Sequence, residues 1–261
     1  MANLLGPNNK LKHIINAQNI SYSYGNETVV ENVTLKILPG DFVALVGPNG
    51  SGKSTLIKLL LGLIRPSHGN ISLFDTDVEK FNSWEKIGYV PQIASGLHAN
   101  YPMTAGEAVS LGEYKGFDPL RIFKKTKNSN VENALDIAGI PHLYSRRVGD
   151  LSTGQQQRVL FAKAIVKKPE VLILDEAIAG VDLHGEEQVY SLLRELNEQG
   201  VSILIVSHDI GAVIREAKTV ACINRSLVFH GDSHTLTKDE LSTLYGYPVE
   251  VLIHDALHEH R

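Results

Sequence analysis

The sequence predicts an α/β fold: a core on a mostly parallel sheet, an N-terminal antiparallel β subdomain ahead of it, and an inserted helical subdomain. Three observations carry this. Val171-Leu172-Ile173-Leu174 and Ile203-Leu204-Ile205-Val206 are unbroken apolar runs, as strands covered on both faces should be. Helical patterns alternate with such runs through the second half of the chain. Between about 93 and 155 the strand-like runs give way to helical patches separated by glycines and polar residues.

Taken in order, residues 1–12 show no periodicity. Ile14 to Tyr24 alternates apolar and polar, and Val33-Thr34-Leu35-Lys36-Ile37 does so again. Gly25-Asn26-Glu27 forms the turn between, which predicts antiparallel strands. Asp41 to Val46 is an apolar strand that runs into a glycine-rich turn and the helix-like Leu56 to Leu61. Arg65-Pro66-Ser67-His68-Gly69 breaks the pattern, Asn70 to Phe74 is a further strand, and Ile87 to Gln92 is a short buried strand ended by Pro91. In the insertion, helical patches cover Ala105 to Glu113, Pro119 to Phe123 and Val131 to Ala138. Helix and strand then alternate over Gln155 to Val166, Glu170 to Asp175, Gly185 to Asn197, Val201 to Ser207 and Ile210 to Ala217.

The 261 residues suffice for one large or two small domains. A net charge of −4 without a dense basic block disfavours nucleic acid as the main partner. Lys124-Lys125-Thr126-Lys127 reads as a solvated loop. The single cysteine, Cys222, cannot form an internal disulfide, which fits a reducing compartment. The first seven residues are too short and weakly apolar for a signal peptide, and the longest apolar run, Leu56 to Ile64, contains Lys58 and Gly62. Any membrane role is expected to come through another subunit.

The glycine-rich turn is Gly47-Pro48-Asn49-Gly50-Ser51-Gly52-Lys53-Ser54-Thr55, the G-x-x-x-x-G-K-[ST] pattern between a strand and a helix. Glycines let successive backbone N–H groups curl into an anion-binding nest, and the following helix dipole adds to the attraction. Lys53 can reach the β- and γ-phosphates, and the Ser54 hydroxyl can sit on Mg²⁺. The core is thus predicted to be a P-loop NTPase. Asp175 and Glu176 end the strand Val171–Leu174, where the crevice of a parallel sheet opens. There Asp175 can hold Mg²⁺ and Glu176 can polarise a water in line with the γ-phosphate. Leu151-Ser152-Thr153-Gly154-Gln155 precedes a helix with a good N-cap at Ser152 or Thr153, a second anion-binding terminus or a plain helix start.

With these residues in place, the chain resembles the ATP-binding subunit of an ABC transporter over about 13–232, with 93–155 as the inserted helical subdomain and 233–261 as a short tail. Leu151 to Gln155 is similar to the family's signature motif. The resemblance implies that Tyr24 stacks on adenine and that Gln92 touches Mg²⁺ and the attacking water. It implies that Asp182 is the D-loop aspartate and that His208 contacts the γ-phosphate. It also implies a homodimer packed head to tail, with Ser152, Gly154, Gln155 and Asp182 acting on the partner's ATP. Integral membrane permease subunits, a substrate-binding protein and a place on the cytoplasmic face of the inner membrane follow from the same resemblance. Thr153 stands where glycine is commonest, and Ala177-Ile178 replaces the usual Pro-Thr.

Tyr101-Pro102-Met103-Thr104, followed by Glu107-Ala108-Val109 and Leu111-Gly112, is similar to zinc and manganese importer subunits. That resemblance implies divalent-metal uptake, with siderophore or cobalamin import as the alternative. A soluble ABC ATPase is a further class. A GTPase or small-molecule kinase lacks support, since no Asn-Lys-x-Asp motif occurs. In the tail, His254 and His258 are spaced i, i+4 with Asp255 and His260 near, which reads as a solvated terminal helix before a metal site.

Overall fold

Alternation inside the apolar runs builds the layers. The computed structural model describes residues 13–92, 102–113, 129–177, 183–207, 211 and 215–245. A four-stranded antiparallel sheet holds β1 (Ile15–Tyr24), β2 (Glu27–Ile37), β4 (His68–Leu73) and β5 (Thr76–Asp77), in the order β2-β1-β4-β5. The main sheet has the order β10-β9-β3-β8-β7-β6. It comprises β3 (Phe42–Val46), β6 (Ile87–Val90), β7 (Val171–Asp175), β8 (Ser202–Ser207), β9 (Thr219–Asn224) and β10 (Ser226–Asp232). Every pair is parallel except β9 with the edge strand β10.

Successive residues of the central strands face opposite ways. Val43, Leu45, Ile173, Leu204, Val206, Ala221 and Ile223 pack into one apolar cluster with the antiparallel sheet and with α1 (Lys53–Leu60), whose Leu56, Ile57, Leu59 and Leu60 are fully buried. Ala44, Val46, Leu172, Leu174, Ile203, Ile205, Val220 and Cys222 pack into a second cluster on the other face. That cluster takes in α2 (Ala105–Ser110), α3 (Ser129–Ile137), α4 (Thr153–Ile165) and α5 (Leu183–Glu198). Both faces of the sheet are therefore covered, which is why its strands read as continuous apolar runs. Cys222 lies wholly buried there, its thiol pushed up to about 12 by burial and by Glu240.

Three elements differ from expectation. β2 begins at Glu27 and runs eleven residues, not the five from Val33 to Ile37. Its register against β1 shifts three times, and Asn19 and Asn32 adopt positive φ, so the apolar alternation is interrupted although pairing continues. β9 and β10 form an antiparallel hairpin beyond the last predicted helix. The helix α6 (Lys238–Tyr245) occupies the segment read as a short tail and buries Leu241 and Leu244 in the second cluster. The stretch Pro119 to Phe123 falls wholly, and Ile210 to Ala217 by half, outside the described residues.

Candidate active site

Residues Gly47 to Ser54 leave the C-terminal end of β3 and enter α1. Close packing dictates two of the glycines. A Cβ on Gly47 would lie 2.1 Å from the Ile223 carbonyl oxygen, and one on Gly52 would lie 2.6 Å from that of Val29. Gly52 is also the N-cap of α1 with φ 101°, a left-handed conformation that glycine adopts without steric cost. No side chain caps α1 and no acidic residue occupies its first turn, so its free amides are left for an anion.

Lys53 is buried, and its Nζ donates to the carbonyls of Gly47 (2.7 Å) and Pro48 (2.9 Å). Burial pushes this ammonium below its ordinary pKa, opposed by the charges of Glu176 and Asp175. The lysine and the two carboxylates thus share one electrostatic site, although more than a hundred residues separate them in sequence.

Asp175 ends β7 and is only 6% exposed, with Oδ1 buried and unpaired. Burial and the neighbouring Glu176 raise its carboxyl above the ordinary value, while Lys53 and Lys58 act the other way. Tyr89 on β6 is raised as well, by burial and by the charge of Asp175. Glu176 has φ 47° and donates its N–H to Val206. Its Oε2 accepts a 2.6 Å hydrogen bond from Gln92 Nε2. Gln92 follows β6 and Glu176 follows β7, and the parallel pairing of these strands brings the two side chains together.

Tyr24 closes β1 and is 48% exposed, its ring edge-on to that of Tyr22 at 4.9 Å between centroids. Ser152 is the N-cap of α4 in a capping box: its hydroxyl accepts from the Gln155 N–H (3.3 Å), and the Gln155 side chain accepts from the Ser152 N–H (3.1 Å). Ser152 and Thr153 are exposed, and a Cβ on Gly154 would meet nothing within 4 Å. The apolar side of α4 packs on the face of the sheet opposite α1. The structure therefore brings together Lys53, Gln92, Asp175 and Glu176, and sets Ser152, Gly154 and Gln155 on the other layer. Asp182, Ile178, His208 and the tail histidines lie outside the described residues.

Sequence reasoning missed the supports of the glycine-rich turn. Val29, Ile223 and Arg225 hold it through their backbones, which leave no signature in residue type. A groove of about 290 Å³, lined by Trp84, Tyr89, Pro91, Gly112, Lys163 and Lys167, runs along the edge strand β6. Among the described residues no helix is long and apolar enough to cross a membrane, and no cluster of three or more His, Cys, Asp or Glu could hold a metal ion.

The comparisons with known proteins agree with this geometry. The family model described as ABC transporter matches residues 30–179. A zinc uptake system ATP-binding protein, ZurA of Listeria monocytogenes, is 39% identical over 86% of this chain and 88% of its own. A manganese transport system ATP-binding protein, MntA of Synechocystis, is 34% identical over 89% of this chain and 90% of its own. Among solved structures, an inward-facing metal-chelate type ABC transporter matches with a TM-score of 0.76 at 28% identity, covering 90% of each chain. A nucleotide-free ATP-binding cassette matches with a TM-score of 0.73 at 27% identity, covering 90% of this chain and 96% of its own. The chain belongs to the ABC transporter family, as one of its ATP-binding, ATP-hydrolysing subunits.

Proposed function

We propose that this ATPase powers the uptake of a divalent metal ion, zinc or manganese, through permease subunits in the membrane. The hydrogen bond between Gln92 and Glu176, beside the buried Asp175 and the glycine-rich turn, carries the hydrolytic part of the reading. The turn and the N-terminus of α1 bind the phosphates of ATP, and Lys53 exchanges its two carbonyl partners for phosphate oxygens. Tyr24 offers its exposed face to adenine. Glu176 takes the proton of the attacking water, with Gln92 orienting the carboxylate. His208 hydrogen-bonds the γ-phosphate.

The residues present fit Mg²⁺. The unpaired, buried Oδ1 of Asp175 is a hard oxygen donor without a protein partner, and the Ser54 hydroxyl and Gln92 amide complete an oxygen set. The bound ion would neutralise phosphate charge during transfer.

Two copies close head to tail in this reading, and Ser152, Gly154, Gln155 and Asp182 of one serve the ATP of the other. The exposed capping box and the open space at Gly154 support that assignment. Residues 13–232 form the cassette, with 93–155 as the inserted helical subdomain. The groove along β6 seats the permease, at the cytoplasmic face of the membrane, and a substrate-binding protein delivers the ion. The zinc and manganese systems named among the relatives support the cargo. The metal-chelate transporter favours siderophore or cobalamin as the second reading. The test is to co-purify the ATPase with its permease, reconstitute vesicles, and compare ATP-driven uptake of zinc, manganese and a ferric siderophore. Uptake of the bare ions confirms the proposal; uptake of the chelate alone replaces it with the second reading.

A further inference from the structure

The hairpin turn between β9 and β10 touches more of the nucleotide site than any sequence motif indicates. Arg225 sits there with φ 62°, and its N–H donates to the Ser51 carbonyl inside the glycine-rich turn at 2.9 Å. Its own carbonyl accepts the N–H of Glu31 on β2 at 2.9 Å. Ile223, two residues earlier, packs its carbonyl so closely on Gly47 that a Cβ would not fit. Asn224, between them, donates from Nδ2 to the carbonyl of Leu244 at 3.1 Å. That carbonyl belongs to the last turn of α6, where helix carbonyls lack intrahelical partners, and the Leu244 side chain is wholly buried.

Three parts of the chain therefore meet at two residues: the glycine-rich turn, the antiparallel sheet that presents Tyr24, and the C-terminal helix. A left-handed backbone at a non-glycine residue is costly and persists only where its surroundings hold it. Here Glu31, Ser51 and, through Asn224, Leu244 supply that constraint. We propose that Asn224 is a positioning residue for nucleotide binding: it fixes the turn that shapes the phosphate nest, and through it α6 sets nucleotide affinity. Neither Asn224 nor α6 touches the nucleotide in this account. A shift of α6 frees the Asn224 amide, loosens Arg225 from Ser51, and relaxes the nest in which successive amides must point at one anion. The proposal rests on the glycine-rich turn being the nucleotide site.

The test uses the full chain with Asn224→Asp, which removes the donor at nearly unchanged size, and Asn224→Ala. Binding of ADP with Mg²⁺ is measured by calorimetry, and steady-state hydrolysis gives KM and kcat separately. Both variants are expected to weaken ADP roughly three- to tenfold, the span one lost hydrogen bond produces. KM should rise in parallel and kcat should stay unchanged. A merely structural role predicts the opposite split, a lower kcat and melting temperature with unaltered KM and ADP affinity, and that result overturns the proposal. Hydrogen exchange on the unaltered chain gives an independent check. ADP should protect the amides of 224–225 and 241–245 along with those of 47–55, and protection confined to 47–55 also overturns it. Failure of the unaltered chain to bind ADP at all would instead remove the nucleotide site on which the proposal stands.

Discussion

Asp175 holds a carboxylate where both burial and Glu176 oppose its charge. Its folded pKa is raised, so the ionised form costs stability above that pKa, and the cost is relieved as pH falls through it. Asp175→Asn should therefore stabilise the nucleotide-free protein at neutral pH, while removing Mg²⁺-dependent turnover. The gap between the two melting temperatures should close on acidification, and a gap independent of pH would count against the charge as its cause. Glu176→Gln keeps the shape and the contact with Gln92 but cannot accept a proton. It should retain ATP binding and lose about a hundredfold or more in turnover. That Lys53, Asp175 and Glu176 share one place was legible in the sequence because phosphate chemistry uses those types in those positions. The pairing of Gln92 with Glu176 was not, since strand register alone creates it; the role of Gln92 came from resemblance.

Between elements, two glycines that look alike in sequence are held for different reasons. Gly47 is pressed against β9, so Gly47→Ala should cost about 1–3 kcal/mol and distort the turn. Gly154 stands in open space in the first turn of α4, so Gly154→Ala should raise stability by up to about 1 kcal/mol through helix propensity. In the proposed dimer, where the partner's nucleotide approaches that space, it should nevertheless lower turnover by about tenfold, roughly 1.4 kcal/mol at the transition state. Thermal melts and hydrolysis rates on both variants check the opposite signs, and a Gly154→Ala protein of normal rate would speak against the partner role. The stretch that resembles metal importers has a structural reason of its own. Thr104 and Glu107 form a capping box on α2, and the ring of Tyr144 closes on Gly106. α6 shows little helical period because Leu241, Leu244 and Tyr245 alone mark its buried side, although the Thr237–Glu240 capping box before it is a start signal that sequence reasoning missed. The parallel core was legible because strands buried on both faces admit little but apolar residues.

At the scale of the whole molecule, the described subunit is half of a machine in this account. The glycine-rich turn opens α1 on one layer, and the capped end of α4 lies on the other with Ser152 and Thr153 exposed. In the proposed reading one chain supplies the phosphate nest and the base Glu176 with its partner Gln92, and a second copy supplies the opposing helix end. ATP then drives closure by binding the closed pair better than the open one, and hydrolysis releases it. In the proposed reading, motion of this kind reaches a permease through the groove beside Tyr89 and Pro91, along the strand that leads to Gln92. Light scattering on Glu176→Gln, with MgATP and without nucleotide, decides whether ATP joins two copies. The expected masses are that of the 28.6 kDa chain without nucleotide and twice that when MgATP is bound. A protein that binds ATP and stays at the monomer mass would contradict the head-to-tail pair.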